Sequence, residues 1–129
     1  MPTIDEIKSQ IMQLENGAKM VKESEVKELP GLLHENERIQ GIAKGRYNKM
    51  NGLAIATDKR VLFVAKALFL LKHEELPYSK ITSVQFEPMG PMLRLASLSF
   101  MGIGNTIVFD NADKAEATKL AEIVRSRTA

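Results

Sequence analysis

From residue 38 onward the chain is a succession of short apolar or alternating runs, each closed by turn-type residues. The runs are RIQGIAKG (38–45), GLAIATD (52–58), RVLFVA (60–65), FLLKHEEL (69–76), ITSVQFE (81–87), LRLASLSF (93–100) and NTIVFD (105–110). None is long enough for an ordinary helix. In ITSVQFE, Thr82, Val84 and Phe86 share one face and Ser83, Gln85 and Glu87 the other. In GLAIATD, Leu53, Ile55 and Thr57 share a face. Such alternation predicts antiparallel strands with one wet face. TDKR, GPM and MGIGN read as turns or Gly-bearing loops. Seven strands at this spacing predict a small barrel or sandwich.

Helical patterns flank the strands. Thr3 followed by Glu6 is a capping box. Ile4, Ile7, Ile11, Leu14, Ala18 and Val21 recur three or four residues apart, as on one face of a helix. Asn16-Gly17 interrupts that stripe, so the pattern predicts one helix over about 3–16 and a second over about 18–29, ended by Pro30-Gly31. The stripe is expected to pack on its own domain, with a coiled-coil arm as the alternative. After the last run, Ala117, Leu120, Ala121 and Val124 form one apolar stripe of a C-terminal helix. Asp110 or Asn111 is expected to cap it, and Arg125 and Arg127 suit its negative end.

The layout of seven antiparallel strands and one C-terminal amphipathic helix resembles the pleckstrin-homology (PH) fold. LPGLLHENERI (29–39), LAIATDKRVLFV (53–64), ELPYSKITSVQFE (75–87) and GNTIVFDN (104–111) resemble the YokE-like family of bacterial PH domains. The resemblance covers roughly residues 24–127, and ATDKRVLFV and LPYSKITSV are its most specific pieces. It implies an α+β, mainly β chain: a PH-like barrel of seven antiparallel strands in two sheets, a C-terminal helix over one end, and an N-terminal helical segment. The expected division is residues 1–33 for that segment and 34–129 for the PH-like domain.

Composition excludes much chemistry. The chain has no cysteine, so disulfides and thiolate chemistry are absent. His34 and His73, the 2 histidines, stand apart from metal-ligand spacing and are expected at the surface. Ser79-Lys80 follows Pro77 in a turn pattern and does not place a nucleophile in line with a base. GIGN lacks the GK of a phosphate-binding loop. No catalytic residue, metal site or cofactor is expected. MPTIDEIKSQ carries acids where a signal peptide needs bases, and the longest strongly apolar run, ALFLL, is far short of a membrane span. The expected location is cytoplasmic, with attachment to a membrane surface as the alternative.

Charge is uneven. Residues 1–40 hold 5 Lys/Arg against 8 Asp/Glu (−3), 41–80 hold 8 against 3 (+5), and 81–129 hold 5 against 5. The positive excess includes KGRYNK (44–49), which the resemblance places between strands one and two. In lipid-binding PH domains that connection carries phosphate contacts. Positions 51–57, NGLAIAT, lack the downstream basic partner, so the phosphoinositide pattern is incomplete. The resemblance also implies that three connections gather at one open end. Lys44, Arg46, Lys49 and Lys66 would then form a basic rim around an apolar tip of Leu68, Phe69, Met101 and Ile103. Each basic residue near an anionic leaflet contributes about 1 kcal/mol.

Two functions follow as expectations. The first is a non-enzymatic interaction module that forms homo-oligomers or binds a protein partner. The alternative is peripheral binding to anionic membrane lipids through the basic loop. Nucleic acid is not an expected partner, because only Tyr47 and Phe69 are available to stack near the basic residues.

Overall fold

A computed structural model describes residues 2–90 and 94–128. Seven strands follow in chain order: β1 (Ile39–Tyr47), β2 (Met50–Thr57), β3 (Arg60–Ala67), β4 (Leu70–Pro77), β5 (Ile81–Pro88), β6 (Leu95–Gly102) and β7 (Asn105–Asp113). Each expected run became a strand over its described residues; Leu93 of the sixth run and most of the expected GPM loop (90–92) lie outside the described residues. Every pairing is antiparallel, and the sheet order is β4-β3-β2-β1-β7-β6-β5.

The expected two sheets are one continuous sheet, joined at a narrow ladder. β1 meets β7 only at Arg46↔Asp110 and Tyr47↔Phe109. Below those pairs the strands diverge, and the first half of β1 loses its ladder partner on that side. Side chains satisfy its backbone instead. The Ile39 amide donates to Gln10 Oε1 at 2.8 Å, Asn16 Nδ2 donates to the Ile42 carbonyl at 2.9 Å, and the Lys44 amide donates to Glu116 Oε1 at 3.2 Å. Each of these backbone groups would otherwise lack a ladder partner.

The C-terminal helix α3 (Lys114–Thr128) lies across this divergence. Its cap is Asp113, whose Oδ2 accepts from the Glu116 amide at 3.1 Å, and not the expected Asp110 or Asn111. β7 continues through those residues to Asp113, which delays the helix. Ala117, Leu120, Ala121 and Val124 are buried, as the apolar stripe requires. Gly41 permits the close approach, since a Cβ there would meet Ile123 Cδ1 at 2.6 Å.

The N-terminal segment is shorter in its helices than expected. α1 covers Ile4–Met12 and α2 only Gly17–Met20, and a 3-10 helix covers Ser24–Gly31. Thr3 Oγ1 accepts from the Glu6 amide at 3.2 Å, as the capping pattern predicts. The chain folds back at Gly17, where a Cβ would lie 2.0 Å from the Ile11 carbonyl oxygen. The chain leaves the first helix after Met12 through i→i−3 turns, the Leu14 amide donating to the Ile11 carbonyl at 3.0 Å and the Gly17 amide to the Leu14 carbonyl at 3.0 Å.

Two apolar cores result. Inside the barrel, Phe63 is stacked with Tyr47 at 5.5 Å and meets Phe100 edge-on at 5.3 Å, with Phe109, Leu98 and Leu120 around them. On the outer face of β1–β3, Ile7, Ile11, Met20, Val26, Leu29 and Leu33 cover Ile42, Leu53, Ile55, Leu62 and Val64. The expected wet face of β2 is therefore dry: β2 is buried from Gly52 to Thr57 and β3 from Arg60 to Ala65.

A buried ion pair closes the lower end of β2 and β3. Arg60 donates through Nε to Glu37 Oε2 at 2.9 Å and through Nη2 to Glu37 Oε1 at 3.0 Å. Thr57 Oγ1 donates to Glu37 Oε2 at 2.6 Å, the His34 amide to Oε1 at 2.8 Å, and Arg60 Nη2 to the Leu32 carbonyl at 2.6 Å. Glu75 is a second ion-pair partner of Arg60. Burial alone would raise the Glu37 carboxyl. The donors from Arg60, Thr57 and His34 outweigh it and hold the group below its ordinary value.

Candidate functional site

The basic stretch KGRYNK is mostly strand. Only Asn48 and Lys49 form the turn, with φ of 53° and 66°. Two left-handed residues in a two-residue hairpin make a type I′ turn. Tyr47 points into the barrel. Lys44 and Arg46 point to the opposite, outer face, as their even spacing predicts.

Those cations are largely engaged. Lys44 Nζ lies 2.7 Å from Glu23 Oε1, and Lys66 Nζ lies 2.7 Å from Glu28 Oε2. The hydrogen bond to Glu23 raises the Lys44 ammonium above its ordinary value. Both acids belong to the N-terminal segment that covers the outer face. Arg46 Nη2 donates to the Lys49 carbonyl at 3.1 Å, which braces the turn. Among the described residues, Arg46 and Lys49 are the expected basic positions without an ion-pair partner.

A hollow of about 470 Å³ opens beside this hairpin, and its walls include Arg46, Lys49, Glu74 and Asp110. Two cations thus share it with two carboxylates. The Tyr47 hydroxyl donates to Glu74, and Asn105 Nδ2 approaches the other Glu74 oxygen at 3.4 Å. Burial first, and then the bond to Glu74, push the Tyr47 phenol above its ordinary value. A polyphosphate placed here would meet Glu74 and Asp110 as well as Arg46 and Lys49. Such a lining does not build the net positive field that phosphate recognition uses.

The apolar candidates do not converge within one chain. Leu68 and Phe69 form the β3–β4 turn and are 88% and 97% exposed. Leu70 and Leu71 continue the patch at 48% and 39%. Ile103 is also exposed, but its amide donates to the Lys80 carbonyl at 3.2 Å, beyond the far end of β4. Met101 is half-buried beside β5, where its carbonyl accepts from Thr82 Oγ1 at 3.0 Å. The eight residues of β4 separate the two groups, about 26 Å of strand at about 3.3 Å per residue.

Sequence reasoning anticipated β4 as a strand and missed its place as an exposed sheet edge. The strand ends the sheet order, and Leu70 to Glu75 are all exposed. Its signal lay in FLLKHEEL, where apolar and charged residues follow one another in blocks. His73 lies on this edge and His34 is likewise exposed. Among the described residues no group of His, Asp and Glu is arranged to hold a metal, and no helix is long and apolar enough to cross a membrane.

Comparison with known proteins bears on this geometry. A family model described as Bacterial PH domain matches residues 33–126. The chain is similar in fold to a pleckstrin homology domain from Shewanella amazonensis SB2B, with 23% identity and a TM-score of 0.59 over 80% of this chain and 95% of that one. A DUF1696 family protein with a pleckstrin-homology domain, from Shewanella loihica PV-4, is 18% identical with a TM-score of 0.61 over 80% and 89%. The Vps36 N-terminal PH domain is 15% identical with a TM-score of 0.53 over 75% and 83%. At these identities the solved structures speak for the fold alone. No curated protein matches the chain.

Proposed function

The chain belongs to the bacterial PH domain family, and from that membership we propose a non-enzymatic interaction module that self-associates or binds a protein partner. The exposed β3–β4 turn and the edge strand that follows it carry this reading. Leu68, Phe69, Leu70 and Leu71 form a run of consecutive exposed apolar residues on a strand with a free edge. Such patches and edges mark contact surfaces. Within the family, the proposed group is the YokE-like one, which the phrases ATDKRVLFV and LPYSKITSV resemble. Residues 1–33 are a helical segment docked on a PH-like domain of residues 34–129, in a cytoplasmic protein.

Light scattering over a concentration series tests self-association. The expected result is a mass above the 14.4 kDa of one chain that falls on dilution. A constant single-chain mass would remove self-association and leave only a foreign partner.

A second reading is peripheral binding to anionic lipid, with Arg46, Lys49 and Lys66 near the exposed Leu68 and Phe69. Lys44 and Lys66 are already neutralised by Glu23 and Glu28. Two remaining cations give only about 2 kcal/mol at an anionic surface. Co-sedimentation with phosphatidylserine vesicles at low salt checks it. Wild-type binding that an Arg46→Ala/Lys49→Ala variant loses would favour this second reading.

A further inference from the structure

We propose that β4 pairs with β4 of a second copy in a symmetric antiparallel dimer, with His73 on the two-fold axis. The proposal rests on the self-association reading and names the surface and the register.

The hydrogen-bond pattern of the edge fixes which groups are available. β3 and β4 are joined by the two-residue turn Leu68–Phe69, and Ala67 faces Leu70. A two-residue hairpin closes on a hydrogen-bonded pair, and bonded and non-bonded pairs then alternate. Leu70, Lys72, Glu74 and Leu76 therefore direct their backbone groups to β3. Leu71, His73 and Glu75 direct theirs outward. Among the described residues β4 pairs with β3 alone.

Side-chain charge selects the register. A two-fold perpendicular to a continuous antiparallel sheet must pass midway between one residue and its symmetry mate, because paired residues share a face. An axis at Lys72 or at Glu74 sets like charges face to face. An axis at His73 sets Lys72 of each copy opposite the partner's Glu74, in the non-bonded pairing where side chains come closest. It also lets His73 exchange backbone bonds with its symmetry mate, and Leu71 with the partner's Glu75. Among the described residues Lys72 has no ion-pair partner in its own chain, whereas Glu74, with its several acceptor sites, already takes Tyr47 and Asn105.

The same register accounts for the separated apolar residues. Antiparallel pairing inverts the strand, so the start of one β4 lies beside the end of the other. The Leu68–Phe69 turn of one copy then lies beside the Pro77–Lys80 end of its partner's β4. That is the end of β4 where Ile103 is bonded to Lys80. Leu68 and Phe69 of one copy and Ile103 of the other, which lie apart in one chain, are brought to the same end of the paired strands. The contact is isologous and closes at two copies.

Single-cysteine cross-linking of the full chain tests the register, because the sequence has no other cysteine. Facing residues of a bonded antiparallel pair have Cα atoms about 5.5 Å apart, within reach of a disulfide. His73→Cys should form a covalent dimer on mild oxidation. Leu71→Cys should not, because its two copies stand about 13 Å apart at about 3.3 Å per residue. His73→Pro, which removes an outward donor, should lower the mass seen by light scattering to that of one chain, with an unchanged circular dichroism spectrum. A wild-type mass above one chain with no cross-link at position 73, or with His73→Pro still associated, would overturn the β4 dimer and leave self-association standing. A wild type of single-chain mass at every concentration would overturn both.

Discussion

The Glu37–Arg60 pair shows how one residue's environment decides its energetic weight. Both side chains are buried, and their hydrogen bonds tie β2, β3 and the loop before β1 together. Removing Glu37 leaves the buried Arg60 with only the Leu32 carbonyl and the half-exposed Glu75 as partners. Glu37→Ala should cost about 3 kcal/mol in urea unfolding, the low end for a broken buried pair. The sign of its pH dependence follows from the lowered carboxyl. Its stabilising contribution is complete above the ordinary value of 4.5 and is lost as pH falls through the lower native value. Unfolding monitored at acid pH should show that loss in the wild type and a smaller one in Glu37→Ala. Glu25 opposes it: burial raises its carboxyl, so its contribution is present below the ordinary 4.5 and is lost as pH rises. This pair was not legible in the sequence. TDKR reads as an ordinary polar turn and Glu37 carries no signal of burial, because only the tertiary fold decides which charges lose their water.

At the scale of elements, the N-terminal segment is held mainly by apolar contact. Leu29 is fully buried in the outer core, while the Lys66–Glu28 pair keeps about a third of each side chain exposed. Leu29→Ala should therefore cost about 2–5 kcal/mol, and Lys66→Gln less than about 1 kcal/mol. Equal effects in chemical denaturation would mean that charge, and not packing, docks the segment. The apolar stripe was legible, and Ile7 and Ile11 are its buried members. Ala18 is exposed, because the chain reverses at Gly17 and breaks the helical phase on which the stripe depends. The continuous apolar runs LAIA and VLFVA already signalled strands buried on both faces. The alternation at Leu53, Ile55 and Thr57 predicts a wet face for LAIA only if the apolar residues between them are ignored.

For the whole molecule, the order of seven strands and a final helix was legible because each run has strand period and each break has turn chemistry. Sheet closure was not. Whether β1 and β7 join depends on two residue pairs at Arg46 and Tyr47, brought together from distant parts of the sequence. Met101 and Ile103 lie apart from Leu68 and Phe69 within one chain for a related reason. Spacing places residues on strands and faces, but the position of the β6–β7 turn at the far end of β4 is set by the bend of the sheet. What remains is a domain whose outer face is closed by its own N-terminal segment and whose β4 edge is open. Hydrogen exchange of a peptide spanning residues 68–77, at low and high protein concentration, tests that claim most directly. Paired β4 edges predict slower exchange of the Leu71, His73 and Glu75 amides as concentration rises. Exchange there that does not change with concentration, in a sample whose mass does, would contradict it.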